Sequence, residues 1–297
     1  MRVLVESELG AWSGAWADLV RGQALPTPFL LPWWVEAAGG RPALVLCVED
    51  GTLVGGAAFE VNRVGRGPVA VERVRSLGQG ELAPDHLDVV AAPGRAAEVV
   101  ERVLGWLHRP GSRVVDLDGL AADGVLATAL AEHVIERVAA PYATLPPDVD
   151  DYLARLPGRL RSTVTRTRKR LDKAGASVRQ VPPTDADRAL DALADLHDHR
   201  WAEESGFLGA WSRFRSAARA GMADGVVVVH EVADADGAVV ATELDLVVAG
   251  RVAFYQAGRS TDRDWRGAGS RPPAPHIAEG GAAGARAPDL PPAGEDY

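Results

Sequence analysis

Residues 225–258 read GVVVVHEVADADGAVVATELDLVVAGRVAFYQAG, and this stretch decides the fold. Three apolar runs, 225–232, 238–248 and 251–257, are separated by Asp236-Gly237 and Ala249-Gly250. Two-residue connections ending in glycine favour tight hairpins, so the spacing predicts an antiparallel meander. Within its middle strand, Thr242-Glu243-Leu244-Asp245-Leu246 alternates. Alternation puts Glu243 and Asp245 on one face and Leu244 and Leu246 on the other. Upstream, the pattern changes to helical spacing. A helix is expected over about 159–174, stopped by Gly175, then a strand near 176–181. A second helix is expected from a capping pair, Thr184-x-x-Asp187, to about Glu204, and a third over 208–221.

The first half repeats this mixture. A strand is expected at Met1–Val5 and a helix around Trp12, Trp16 and Leu19, broken by Pro26, Pro28 and Pro32. A short helix opens at Trp33-Trp34. Strands at 43–49 and 53–61 are joined by Asp50-Gly51, a dipeptide that gives the strongest two-residue hairpin signal. Strands at 69–76, 87–91 and 113–117 and helices at 94–108 and 123–133 complete this half. Pro141–Asp151, rich in proline and acids, reads as a linker. The fold class is therefore α/β (α+β mixed), with one lobe over 1–140 and a second over 150–297.

Bulk composition excludes several functions. The 297 residues carry a net charge of -9, which argues against a DNA-binding protein. A single cysteine, Cys47, and seven scattered histidines supply no metal-ligand spacing, so no metal is expected. No apolar run approaches the ~18 residues that a transmembrane helix needs. No signal peptide is visible, and a cytoplasmic location is expected. Oligomeric state is left open.

Several strings act together: Pro28-Phe29-Leu30-Leu31-Pro32-Trp33, Gly51-x-x-Val54-Gly55, Arg159 to Leu171 with its repeated cations, Leu193-x-x-Leu196-His197-x-x-Arg200-Trp201, and Val252 to Gly258. In this order they resemble the CelD-like acetyltransferases of cellulose biosynthesis. These are tandem acetyltransferase-like (GNAT) lobes related to the FemABX peptidyl transferases. The resemblance spans roughly residues 10 to 270. It implies transfer of an acyl group from acetyl-CoA to an amine, on a small molecule, a glycan or a cell-envelope precursor. It also implies that Arg266-Gly267-Ala268-Gly269-Ser270 holds the pyrophosphate of coenzyme A through backbone amides at a helix start. Two alternatives stand beside it: an aminoacyl-tRNA-dependent transferase of the FemABX kind, and a non-catalytic or inactive partner in polysaccharide biosynthesis.

Such chemistry needs a base for the amine and a proton for the departing thiolate. Glu243 and Asp245 are candidates for base and amine anchor, and Tyr255 for the acid. His197 and Trp201, four residues apart on one helix face, are candidates for the substrate side. For His197 a hydrogen-bonded core position is the plainer reading. After Ser270 the composition changes: six prolines, seven alanines and four glycines fill residues 270–297. Pro272 and Pro273 lack N–H groups where the loop's helix should offer them, and Pro275 would break its first turns. Residues 271–297 are therefore expected to be atypical or disordered, either as a genuine tail or through a local disturbance of the reading frame.

Overall fold

A computed structural model describes residues 1–297 except 38–39, 141, 147, 202–204, 266–267, 269–285 and 290–297. The chain divides into two units: Met1–Val138 with Ser212–Ala218, and Ala139–Trp211 with Arg219–Tyr297.

Unit 1 contains β1 (Arg2–Glu6), α1 (Ser13–Arg21), α2 (Pro32–Val35), β2 (Pro42–Glu49), β3 (Thr52–Val64), β4 (Val71–Ser76), β5 (Val90–Ala91), α3 (Ala96–Leu107), β6 (Arg113–Asp116) and α4 (Val125–Ala129). Its sheet runs β1-β2-β3-β4-β6, with β5 beside β3; β6 joins β4 in parallel and the other pairs are antiparallel. The β2–β3 hairpin turns where expected, because Asp50 and Gly51 both take positive φ, 49° and 78°. Residues 43–48 of β2 are buried without alternation, as in a strand covered on both faces. Gly56 makes room for one cover: a Cβ there would lie 3.1 Å from the Trp16 ring of α1. Trp16 is fixed by its indole N–H donating to the Leu30 carbonyl at 2.6 Å. Asp88 caps α4, accepting from the backbone N–H groups of Val125 and Leu126.

Unit 2 contains β7 (Tyr142–Thr144), α5 (Val149–Arg155), α6 (Gly158–Lys173), β8 (Ser177–Gln180), α7 (Ala186–Trp201), the ends of α8 (Trp211–Ala223, whose Ser212–Ala218 counts with unit 1), β9 (Val227–Ala233), β10 (Val239–Val248), β11 (Arg251–Arg259) and β12 (Arg286–Asp289). The sheet order is β7-β12-β11-β10-β9-β8, with the expected meander at its centre. The Ala249-Gly250 turn again has two positive φ values, 45° and 77°. Both units are mixed α/β layers, as the sequence implied.

Three local expectations change. Thr184 does not cap α7: Pro182-Pro183 start a 3-10 turn over Pro183–Asp185, so Thr184 lies inside it and its hydroxyl meets the Asp185 carboxylate. The stretch read as a linker contains β7, and the atypical tail contains β12, which pairs with β11 and β7. The rest of the tail lies outside the described residues. Finally, the 123–133 helix is shorter, with α4 followed by a 3-10 turn at Ala131–His133.

Candidate active site

The centre of unit 2 is β10 with β9 and β11 on either side. Thr242 stands opposite Glu231 of β9 and Gly258 of β11. This row faces α7 at both ends. Glu231, fully buried, accepts two bonds from Arg188 of α7, at 2.8 and 2.9 Å, and two more from Arg179 of β8. A Cβ on Gly258 would come within 2.7 Å of the Leu196 Cβ and 2.9 Å of the His197 nitrogen. Only glycine lets α7 approach β11 this closely.

Glu243 and Asp245 therefore point away from α7, on the opposite face. Glu243 pairs with His230 and Ala257, and Asp245 with Val228 and Phe254. Asp245 is 1% exposed and His230 6%, with His230 Nδ1 and Asp245 Oδ2 3.9 Å apart, beyond hydrogen-bond reach. Glu243 is half-buried. His230 joins these two carboxylates without having been singled out in the sequence, where it reads as one more residue of a buried strand.

On the α7 face a second polar group forms. Register slips between β10 and β11: Leu244 faces Gln256 but Asp245 faces Phe254, so Tyr255 is an extra residue in a bulge. Bulges bend a strand and re-aim a side chain. The Tyr255 ring lies edge-on to Phe207, centroids 6.3 Å apart. Phe207 in turn packs edge-on against His197 at 5.2 Å and Trp211 at 5.9 Å. His197 is buried, with Nδ1 3.4 Å from the Ala257 carbonyl and Nε2 3.0 Å from Ser205 Oγ. Ser205 Oγ also accepts the Phe207 backbone N–H at 3.3 Å.

These contacts fix the tautomer. A carbonyl can only accept, so Nδ1 carries the proton and Nε2 takes the Ser205 hydroxyl proton as acceptor. Burial pushes the His197 pKa down, partly offset by the bond to Ala257, which keeps the ring neutral near pH 7. A neutral histidine joined to a half-buried hydroxyl is a unit that can accept a proton and pass it on. Trp201, one turn beyond His197, is half-buried, carries the Arg200 guanidinium over its ring at 4.4 Å, and receives the Ser205 N–H at its carbonyl.

The fold thus sorts the residues picked from sequence into two groups. His197, Trp201 and Tyr255 gather on the α7 side, and Glu243 and Asp245 lie on the other. Ser205 and Phe207 escaped the sequence reading because they sit between two helices, where no period marks them. Of the loop expected to bind coenzyme A, Arg266, Gly267, Gly269 and Ser270 lie outside the described residues. Ala268 is described: it is buried in a cluster with Leu171, Val232, Val240 and Ala241. Its methyl is a core group, so any role toward a ligand falls to its backbone. Among the described residues no group of three His, Cys, Asp or Glu is placed to hold a metal ion. No helix of the described residues is long and apolar enough to cross a membrane.

A central antiparallel meander with a bulged strand, packed by a helix through a glycine contact, makes unit 2 an α/β domain of the GNAT fold. Residues 158–272 match the family model described as an acetyltransferase (GNAT) domain, so this segment belongs to the superfamily that the sequence resembled. No curated protein matches the sequence. Solved structures are similar in fold across both units. FemX aligns with 100% of this chain and 91% of its own at 12% identity and a TM-score of 0.65. A conserved protein of unknown function from Bacteroides thetaiotaomicron aligns with 94% of this chain and 86% of its own, at 11% identity and a TM-score of 0.56. L-PGS from Bacillus licheniformis covers 86% of this chain and 74% of its own, at 13% identity and a TM-score of 0.51. At these identities the likeness is one of fold.

Proposed function

We propose that the chain is an N-acyltransferase that moves an acyl group from acyl-CoA, acetyl-CoA in the simplest case, to an amine on a small molecule or glycan. The observation that carries this reading is the His197–Ser205 pair beside the Tyr255 bulge, inside a segment of the acetyltransferase family. Acyl-CoA supplies an activated thioester. The Arg266–Ser270 loop would hold its pyrophosphate through backbone amides, with Ala268 anchoring the loop in the core.

Proton handling follows from the tautomer. The amine attacks the thioester carbonyl carbon and a C–N bond forms. The proton leaving that nitrogen passes to Ser205 Oγ as the serine's own proton passes to His197 Nε2. Collapse breaks the C–S bond, and the Tyr255 hydroxyl protonates the thiolate. Glu243 and Asp245, on the far face of β10, are the competing base and anchor.

Release of free thiol from acetyl-CoA, followed against a panel of amines including glucosamine, separates the two assignments. Ser205→Ala and His197→Gln are expected to lower kcat by about 10²–10⁴-fold while the KM for acetyl-CoA changes little. Glu243→Gln is expected to stay near the parent rate. Loss of turnover in Glu243→Gln, with His197→Gln unaffected, would move the proton acceptor to the other face.

A further inference from the structure

The sixteen residues of α6, GRLRSTVTRTRKRLDK, carry seven Lys and Arg against one Asp, in a chain whose net charge is -9. At 100° per residue, Arg159, Arg166, Lys169, Arg170 and Lys173 fall on one stripe. Val164 and Leu171 fall on the opposite side, and they are the buried residues of the helix. Leu171 enters the core cluster with Val232, Val240 and Ala241. The packing therefore turns the basic stripe outward, and all five cations are exposed. Asp172 lies off the stripe.

Several cations elsewhere in the chain are neutralised in place. Arg73, Arg95, Arg113, Arg179, Arg188 and Arg219 each meet a carboxylate within 4 Å. Arg159, Arg161, Arg166, Arg168, Lys169 and Lys173 form no ion pair among the described residues. Arg161 and Arg166 instead turn to backbone carbonyls of Ala154 and Ser162. Gathering like charges on adjacent turns destabilises a helix unless counter-charge arrives from elsewhere.

We infer that the outer face of α6 docks the chain on a membrane surface of anionic phospholipid. The stripe is straight and about 21 Å long at 1.5 Å per residue, so its cations can touch one flat layer of phosphates at once. Arginine suits that partner because its planar fork bonds phosphate oxygens in pairs. Clusters of four to eight Lys or Arg on one helix face are enough to hold a protein to such a surface. RNA fits less well. Recognition of exposed bases relies on aromatic stacking, and α6 has no aromatic residue. The inference is independent of the acyl-transfer reading.

Co-sedimentation tests it on the full chain. Vesicles of phosphatidylglycerol mixed with phosphatidylcholine are compared with vesicles of phosphatidylcholine alone, at ~0.1 M salt. Binding is expected only to the anionic vesicles and should weaken as salt is raised. The triple change Arg159→Ala, Arg166→Ala, Lys173→Ala should lower the partition coefficient about a hundredfold, about fivefold for each cation. Its thermal unfolding should match the parent, since each side chain is exposed. Equal binding to neutral vesicles, or none to anionic ones, overturns the inference. So does a mixture of bulk transfer RNA that binds more tightly than the vesicles and displaces the chain from them.

Discussion

His197 is held at both ring nitrogens and kept neutral by burial, which ties its proton to the stability of the fold. Its pKa is lowered in the folded chain from the ordinary 6.5. The unfolded chain therefore binds this proton more readily, and protons favour unfolding. The contribution of neutral His197 is complete above about pH 6.5 and is lost as pH falls from there toward the folded-state value. Thermal midpoints are expected to drop between about pH 7.5 and pH 5.5, with a smaller drop in His197→Gln. Equal slopes in the two proteins would show that His197 does not carry the effect. The helical period already placed His197 on the packed side of α7. Its partner could not be read, because Ser205 belongs to the turn after the helix and only the folded backbone brings the two together.

At the scale of elements, the contact between α7 and β11 rests on one residue. Gly258→Ala would drive a methyl to within 2.7 Å of the Leu196 Cβ, and on the other side the strand is already paired with β10. Overpacking of this kind costs about 1–3 kcal/mol. Urea unfolding should show that loss as a lower midpoint, and an unchanged midpoint would mean that α7 is not seated as described. The strands and hairpins around this contact were legible, since Asp-Gly and Ala-Gly turns and apolar runs are local signals. The bulge at Tyr255 was not, because register is a property of two strands and Phe254-Tyr255-Gln256 looks regular when read alone. The helix start at Thr184 failed for a related reason: the two prolines before it set the entry geometry and overrode the capping pattern.

Across the whole molecule, two mixed α/β units account for the chain, and the acetyltransferase family match falls within the second. The order of motifs carried the superfamily, whereas the division of the candidate site between two faces of β10 appeared only with the register. Alternation correctly grouped Glu243 with Asp245. It could not show that Asp245 would be buried, because that depends on what covers the sheet. The proposed chemistry requires acyl-CoA as its donor. Calorimetric titration of acetyl-CoA into the full chain tests it most directly, because it needs no knowledge of the acceptor. Saturable binding with one site per chain and a Kd between about 1 μM and 1 mM is expected, retained in Ser205→Ala. No binding at millimolar acetyl-CoA would contradict the account.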